Sequence, residues 1–135
     1  QIDADAEPFS LALANLWHLA SDVTGALRED HSSLDLVAAL HPTAAVAGTP
    51  TDVALALIES IEPISRGRYA APVGWIAANG DGEWAIALRG AQISEHAGVK
   101  TVRAFAGCGL VVGSEPAAEL AETELKFQPI RYALT

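Results

Sequence analysis

Glu119, Glu122 and Lys126 stand three and four residues apart in the run from Pro116 to Lys126, so a helix there carries two carboxylates and an ammonium along one stripe. Carboxylate oxygens suit a hard divalent cation, and the ammonium suits an anionic ligand beside it. The same residues also fit an amphipathic surface helix in which a Glu122–Lys126 pair contributes about 0.3–0.5 kcal/mol. Spacing alone favours the surface helix over the cation site. Immediately upstream, Gly107, Gly109 and Gly113 fall in a segment leading from a strand into that helix, and glycine lets a ligand approach the backbone.

The other chemistry-bearing residues are scattered. A strand over 83–93 places Trp84, Ile86 and Leu88 on one face and Ala85, Ala87 and Arg89 on the other. An arginine among alanines has room to pair bidentately with a small carboxylate, or simply reaches solvent, and periodicity does not choose between these. His18 lies on the polar side of a strand, where a surface or hydrogen-bonded histidine is a better reading than ligand contact. His31, His41 and His96 show no metal-ligand spacing and carry no assigned role. Cys108 sits between glycines with no basic neighbour to lower its pKa, so it reads as a small packed side chain rather than a nucleophile.

These residues need elements to position them. Trp17, Leu19 and Val23 alternate within 15–23, which predicts a half-buried strand. Residues 32–40 have a hydroxyl cap and helical apolar spacing, ending before His41-Pro42. Thr49-Pro50-Thr51-Asp52 offers a hydroxyl cap, a first-turn proline and an acid, predicting a helix to about Ile61 that Glu62-Pro63 terminates. Strands over 71–78, 83–93 and 100–106, joined by Asn79-Gly80-Asp81-Gly82 and a turn near Ala97-Gly98, predict an antiparallel meander. The fold class is therefore α+β, an antiparallel β-meander sheet with helices packed on one side. An antiparallel setting also removes the dinucleotide-fingerprint reading of the glycine run, which needs a parallel crossover unit.

Composition sets the outer limits. The 135 residues are 50% apolar and only 6% aromatic, which suits one domain with a modest, alanine-rich core. A net charge of -9 and a pI near 4.7 argue against nucleic acid or an acidic membrane surface as partner. Cys108 is the only cysteine, so an intramolecular disulfide and a cysteine-rich zinc site are excluded. No apolar run approaches the roughly 18 residues of a membrane span and no signal pattern opens the chain, so a cytoplasmic setting is expected. Gln1 reads as a start in midstream.

Several runs together closely resemble isochorismate synthases. They are Leu16-Trp17-His18-Leu19-Ala20, residues Leu40 to Pro50, Gly74-Trp75 followed by Gly80-Asp81-Gly82-Glu83-Trp84, Phe105 to Gly109, and Glu119 to Lys126. These enzymes belong to the chorismate-utilising family that includes anthranilate, aminodeoxychorismate and salicylate synthases. The resemblance runs in order from about Asn15 to the C-terminus and covers the later half of the family's chorismate-binding domain. It implies that residues 1–135 are the C-terminal part of a larger two-layered chorismate-binding fold. The N-terminal part would be the missing partner, and its absence would expose an apolar surface.

By position, the resemblance implies Mg2+ as cofactor, with Glu122 as a magnesium-binding glutamate and Glu119 supporting the ion through water. Lys126, Arg89, Tyr69 and the Gly107 and Gly109 backbone match positions around chorismate's carboxylate-bearing arms, and His18 matches a pocket histidine. Ala45 falls where salicylate synthases resemble one another in having threonine, so alanine favours stopping at isochorismate. Two departures stand out: Cys108 replaces the usual alanine, and Ser21-Asp22 replaces a Thr-Pro. The catalytic base lysine and acid glutamate of the family lie upstream, and neither Lys100 nor Lys126 sits in the base motif, so the chain alone is expected to be inactive. The product would serve menaquinone or catecholate siderophore synthesis. The alternatives are a salicylate or anthranilate synthase and a non-catalytic binding domain of the same fold.

Overall fold

The computed structural model describes residues 2–12 and 17–135, so the Asn15-Leu16 start of the expected first strand lies outside the described residues. The chain divides into two units, Gln1–Ser32 and Ser33–Thr135. The first holds β1 (Ile2–Ala4), β2 (Phe9–Ala12), β3 (Trp17–Ala20) and β4 (Val23–Gly25). They form two antiparallel pairs, β1 with β4 and β2 with β3, and Leu11 stands opposite His18. The single strand expected over 15–23 is therefore interrupted at Ser21-Asp22. There the backbone N–H groups of Asp5 and Asp22 donate, respectively, to the carbonyl of Asp22 at 3.2 Å and the carboxylate of Asp5 at 3.3 Å. Trp17 and Leu19 do share a face, but they are exposed rather than half-buried.

The second unit begins with α1 (Ser33–Leu40), α2 (Ala44–Ala47) and α3 (Thr51–Ile61). α1 starts where its cap signal places it, because the Ser33 N–H donates to the Gly80 carbonyl at 3.0 Å and the Ser33 hydroxyl accepts from Trp84 Nε1 at 3.2 Å. α3 starts one residue later than expected. Pro50 occupies the cap position, while the Thr51 hydroxyl donates to the Gly48 carbonyl at 3.4 Å, so no Thr49 hydroxyl cap forms. The stretch Ala44–Ile61 reaches 18 residues at a mean hydropathy of 1.3, longer than the sequence reading allowed. It is divided between α2 and α3 around Gly48-Thr49-Pro50.

β5 (Pro72–Ile76) pairs antiparallel with β6 (Gly82–Ile86), and β7 (Ala91–His96) pairs antiparallel with β8 (Val99–Ala104). The antiparallel α+β class is as expected, but the sheet is two hairpins, and among the described residues β6 and β7 do not pair. The strand expected over 83–93 breaks because Arg89 adopts φ 52, a left-handed conformation that a pleated ladder cannot hold. Arg89 therefore belongs to a connection, not to a strand face shared with Ala85 and Ala87. Gly74 is required by the first hairpin: a Cβ there would run into the Glu83 carbonyl and lie 2.9 Å from the Trp84 backbone. Past the hairpin, Ala70 N–H and Ala87 N–H bond to the carbonyls of Ala87 at 3.0 Å and Ala71 at 2.8 Å, extending the pairing irregularly.

The chain closes with α4 (Pro116–Lys126) and α5 (Gln128–Leu134), the latter unsignalled in the sequence reading. Pro116 opens α4 where a missing N–H costs no hydrogen bond. Ala47 and Ala70 are the only buried apolar residues among those described, which matches an alanine-rich core. Many larger apolar side chains, Trp75, Leu88 and Leu110 to Val112 among them, stand exposed, while Trp84, Ile86 and Phe105 are half-buried.

Candidate functional site

The site grows from the first turns of α4 and the loop that delivers it. β8 ends at Ala104, and Phe105 to Glu115 cross to the helix without regular structure. Ser114 closes this loop on itself. Its N–H donates to the Val111 carbonyl at 3.0 Å, and its hydroxyl accepts from the Val111 N–H at 3.1 Å. A hydroxyl that accepts still has a proton to donate. Hydrogen bonding by Ser114 and then by Cys108, with the charge of Lys126, holds the Glu119 carboxyl below the usual carboxylate range, outweighing desolvation. Glu119 is thus ionised at neutral pH, as a cation ligand must be.

One turn on, Glu122 and Lys126 pair at 2.6 Å, and the Lys126 ammonium also donates to the Gly107 carbonyl at 2.9 Å. An ammonium has three donors, so one remains for an anionic ligand. Lys126 is largely withdrawn from solvent, with 27% of its side chain exposed against 53% for Glu122. The Lys126 bond to Gly107 ties helix and glycine loop together across 19 residues. A Cβ on Gly107 would lie 3.3 Å from the Tyr69 hydroxyl, so Tyr69 abuts the same loop. Tyr69 stacks on Phe105 with ring centroids 5.4 Å apart and planes inclined by 14°.

The structure therefore joins Glu119, Glu122, Lys126, Gly107 and Tyr69 in one neighbourhood. Gly109 lies two residues along the same loop, with open space where a Cβ would be. Arg89 is exposed and, among the described residues, makes no hydrogen bond or ion pair. The hollow beside Tyr69 and Phe105 is also lined by Arg68, Ala87, Gly90 and Gln92, and includes neither Arg89 nor Lys126. Ala45 is in α2, and Val46 beside it accepts a hydrogen bond from Arg66 at 2.9 Å. His18 lies exposed in the first unit, in β3. Two residues that the sequence reading passed over take part: Ser114, through Glu119, and Arg66, whose ring contact with Tyr69 spans 5.8 Å. Nothing in their local sequence marks either one.

An antiparallel α+β scaffold with a glycine loop bonded to a Glu-x-x-Glu-x-x-x-Lys helix fits the chorismate-utilising family that the sequence resembles. The chain belongs to that family: the family model described as chorismate binding enzyme matches residues 1–135. Among its relatives, isochorismate synthase MenF of Bacillus subtilis is 42% identical over 134 residues, covering 99% of this chain and 28% of the relative. Anthranilate synthase component 1 of Saccharolobus solfataricus is 36% identical over 121 residues, covering 90% of this chain and 28% of the relative. The crystal structure of a putative 2,3-dihydroxybenzoate-specific isochorismate synthase, DhbC from Bacillus anthracis, superposes with a TM-score of 0.86 at 39% identity. That match covers 99% of this chain and 35% of the other. The chain thus spans about a third of the length of the relatives it matches.

Proposed function

We propose that this chain forms part of an isochorismate synthase, which adds water at C2 of chorismate with loss of the C4 hydroxyl. The observation that carries the reading is the placement of Lys126, bonded to Glu122 on its own helix and to the Gly107 carbonyl of the glycine loop. This fixes a free ammonium donor beside two carboxylates, which suits a substrate that is itself a dicarboxylate. Lys126 and the Gly107 and Gly109 backbone bind one carboxylate arm in this reading. Arg89, Tyr69 and Ala45 complete the pocket in this reading.

Glu122 and Glu119 are the residues that would hold Mg2+. Two carboxylates fit half of a hard-cation site, in which waters and further carboxylates complete the shell. Among the described residues, no group of three or more His, Cys, Asp or Glu side chains could hold a metal alone. When bound, the ion would supply charge to hold a substrate carboxylate. Glu122 can serve both the ion and Lys126, since a carboxylate offers about four acceptor positions. The base and acid of the reaction are assigned to parts of the family fold outside residues 1–135. Those parts would also cover Leu110, Val111 and Val112, which are 70%, 74% and 106% exposed. Residues 1–135 alone are accordingly inactive, and the assembled enzyme is cytoplasmic.

The similarity to anthranilate synthase component 1 favours a second reading, in which ammonia rather than water attacks. Product identity separates the two. Residues 1–135 should be co-expressed with the remainder of the fold, and chorismate followed by chromatography with and without Mg2+. Magnesium-dependent isochorismate, abolished by Glu122→Gln, is the expected result; near-normal activity in that variant removes the metal assignment, and unchanged chorismate removes the enzyme.

A further inference from the structure

Arg66 uses its guanidinium on three parts of the second unit at once. Nε and Nη2 donate to the two oxygens of Glu62 at 2.9 and 2.6 Å, a bidentate pair at the end of α3. Nη1 donates to the Val46 carbonyl at 2.9 Å, twenty residues earlier in the chain and beside Ala45. The guanidinium carbon stands 5.8 Å from the centre of the Tyr69 ring, within range of a cation–π contact. The Tyr69 N–H also donates to the Arg66 carbonyl at 2.9 Å, so backbone and side chain hold the pair together. Tyr69 in turn stacks on Phe105 and sets its hydroxyl against Gly107.

We propose that Arg66 is a positioning residue of the substrate pocket, fixing the Tyr69 ring against the glycine loop and holding the α2 segment that carries Ala45. The role rests on the reading of Tyr69, Ala45 and Gly107 as substrate-binding residues. A planar fork is needed: a lysine keeps the charge but cannot bond both Glu62 oxygens and the Val46 carbonyl in fixed directions. Arg66 and Glu62 are both partly withdrawn from solvent, at 28% and 34% side-chain exposure, which favours a persistent contact over a loose surface pair.

The test compares Arg66→Ala and Arg66→Lys with the wild-type sequence in the assembled enzyme. It reads chorismate KM, kcat per folded molecule, and the 19F signal of 3-fluorotyrosine at Tyr69, assigned by its loss in Tyr69→Phe. A positioning role raises KM about tenfold in Arg66→Ala, a loss of about 1.4 kcal/mol, changes kcat less than about twofold, and moves the Tyr69 signal in both variants. A purely structural role lowers the folded fraction and leaves KM unchanged. KM within about twofold of wild type in Arg66→Lys, with the Tyr69 signal unmoved, overturns the proposal even if Arg66→Ala does not fold. If the wild-type assembly leaves chorismate unchanged, the reading of the pocket fails instead. The 19F comparison then still decides whether Arg66 places Tyr69: a moved signal supports it, an unmoved one overturns it.

Discussion

Replacing Lys126 by methionine keeps the aliphatic stem and removes the ammonium. Two interactions are lost, the 2.6 Å pair with Glu122 and the 2.9 Å bond to the Gly107 carbonyl. The pair is an i,i+4 contact whose glutamate is half exposed, so solvent screening limits it to about 0.3–0.5 kcal/mol. The second bond joins a charged donor to a partly buried carbonyl and pins a loop of 19 residues' separation to the helix, worth about 1–2 kcal/mol after the same discount. Lys126→Met is thus expected to cost about 1.3–2.5 kcal/mol in urea unfolding of the assembled protein, and Glu122→Gln no more than about 0.5. The double variant then isolates the pair, with a coupling near 0.5 kcal/mol. Equal costs for the two single variants, or a coupling that accounts for the whole Lys126 effect, would refute the reasoning, because the loop contact would then contribute nothing.

Two further predictions concern the scaffold. Hydrogen bonds from Arg66 hold the Glu62 carboxyl below its usual range, outweighing burial. A depressed carboxylate adds stability above the unfolded value of about pH 4.3 and loses it as pH falls through the lower folded value. Wild type should therefore lose stability more steeply than Glu62→Gln below about pH 4.3, by up to about 1 kcal/mol given the partial exposure; superimposable acid unfolding profiles would count against the Arg66–Glu62 contact. Gly74→Ala forces a Cβ into the Glu83 carbonyl and Trp84 of the paired strand. A loss of about 1–3 kcal/mol, or failure to fold, is expected, and an unchanged melting temperature would show that β5 and β6 do not approach so closely.

Local sequence was enough to place the helix 116–126, because a first-turn proline and charges at three- and four-residue spacing act within one turn. The same holds for α1, whose hydroxyl start and His41-Pro42 stop are local signals, and for the Asn79 to Gly82 turn. Antiparallel pairing followed from short strands joined by turn residues, and the family resemblance came from runs spread along the chain. What the sequence could not decide was which residues meet. Period-two alternation put Arg89 on an alanine face, yet a left-handed residue breaks the strand there and sends it elsewhere. Ser114 and Arg66 carry no local mark, since their partners Glu119, Val46 and Tyr69 are brought to them by turns and by packing of separate elements. Patterning reports which face a residue occupies within its own element, while hydrogen-bond partners and burial depend on how several elements come together, and only the tertiary structure supplies that.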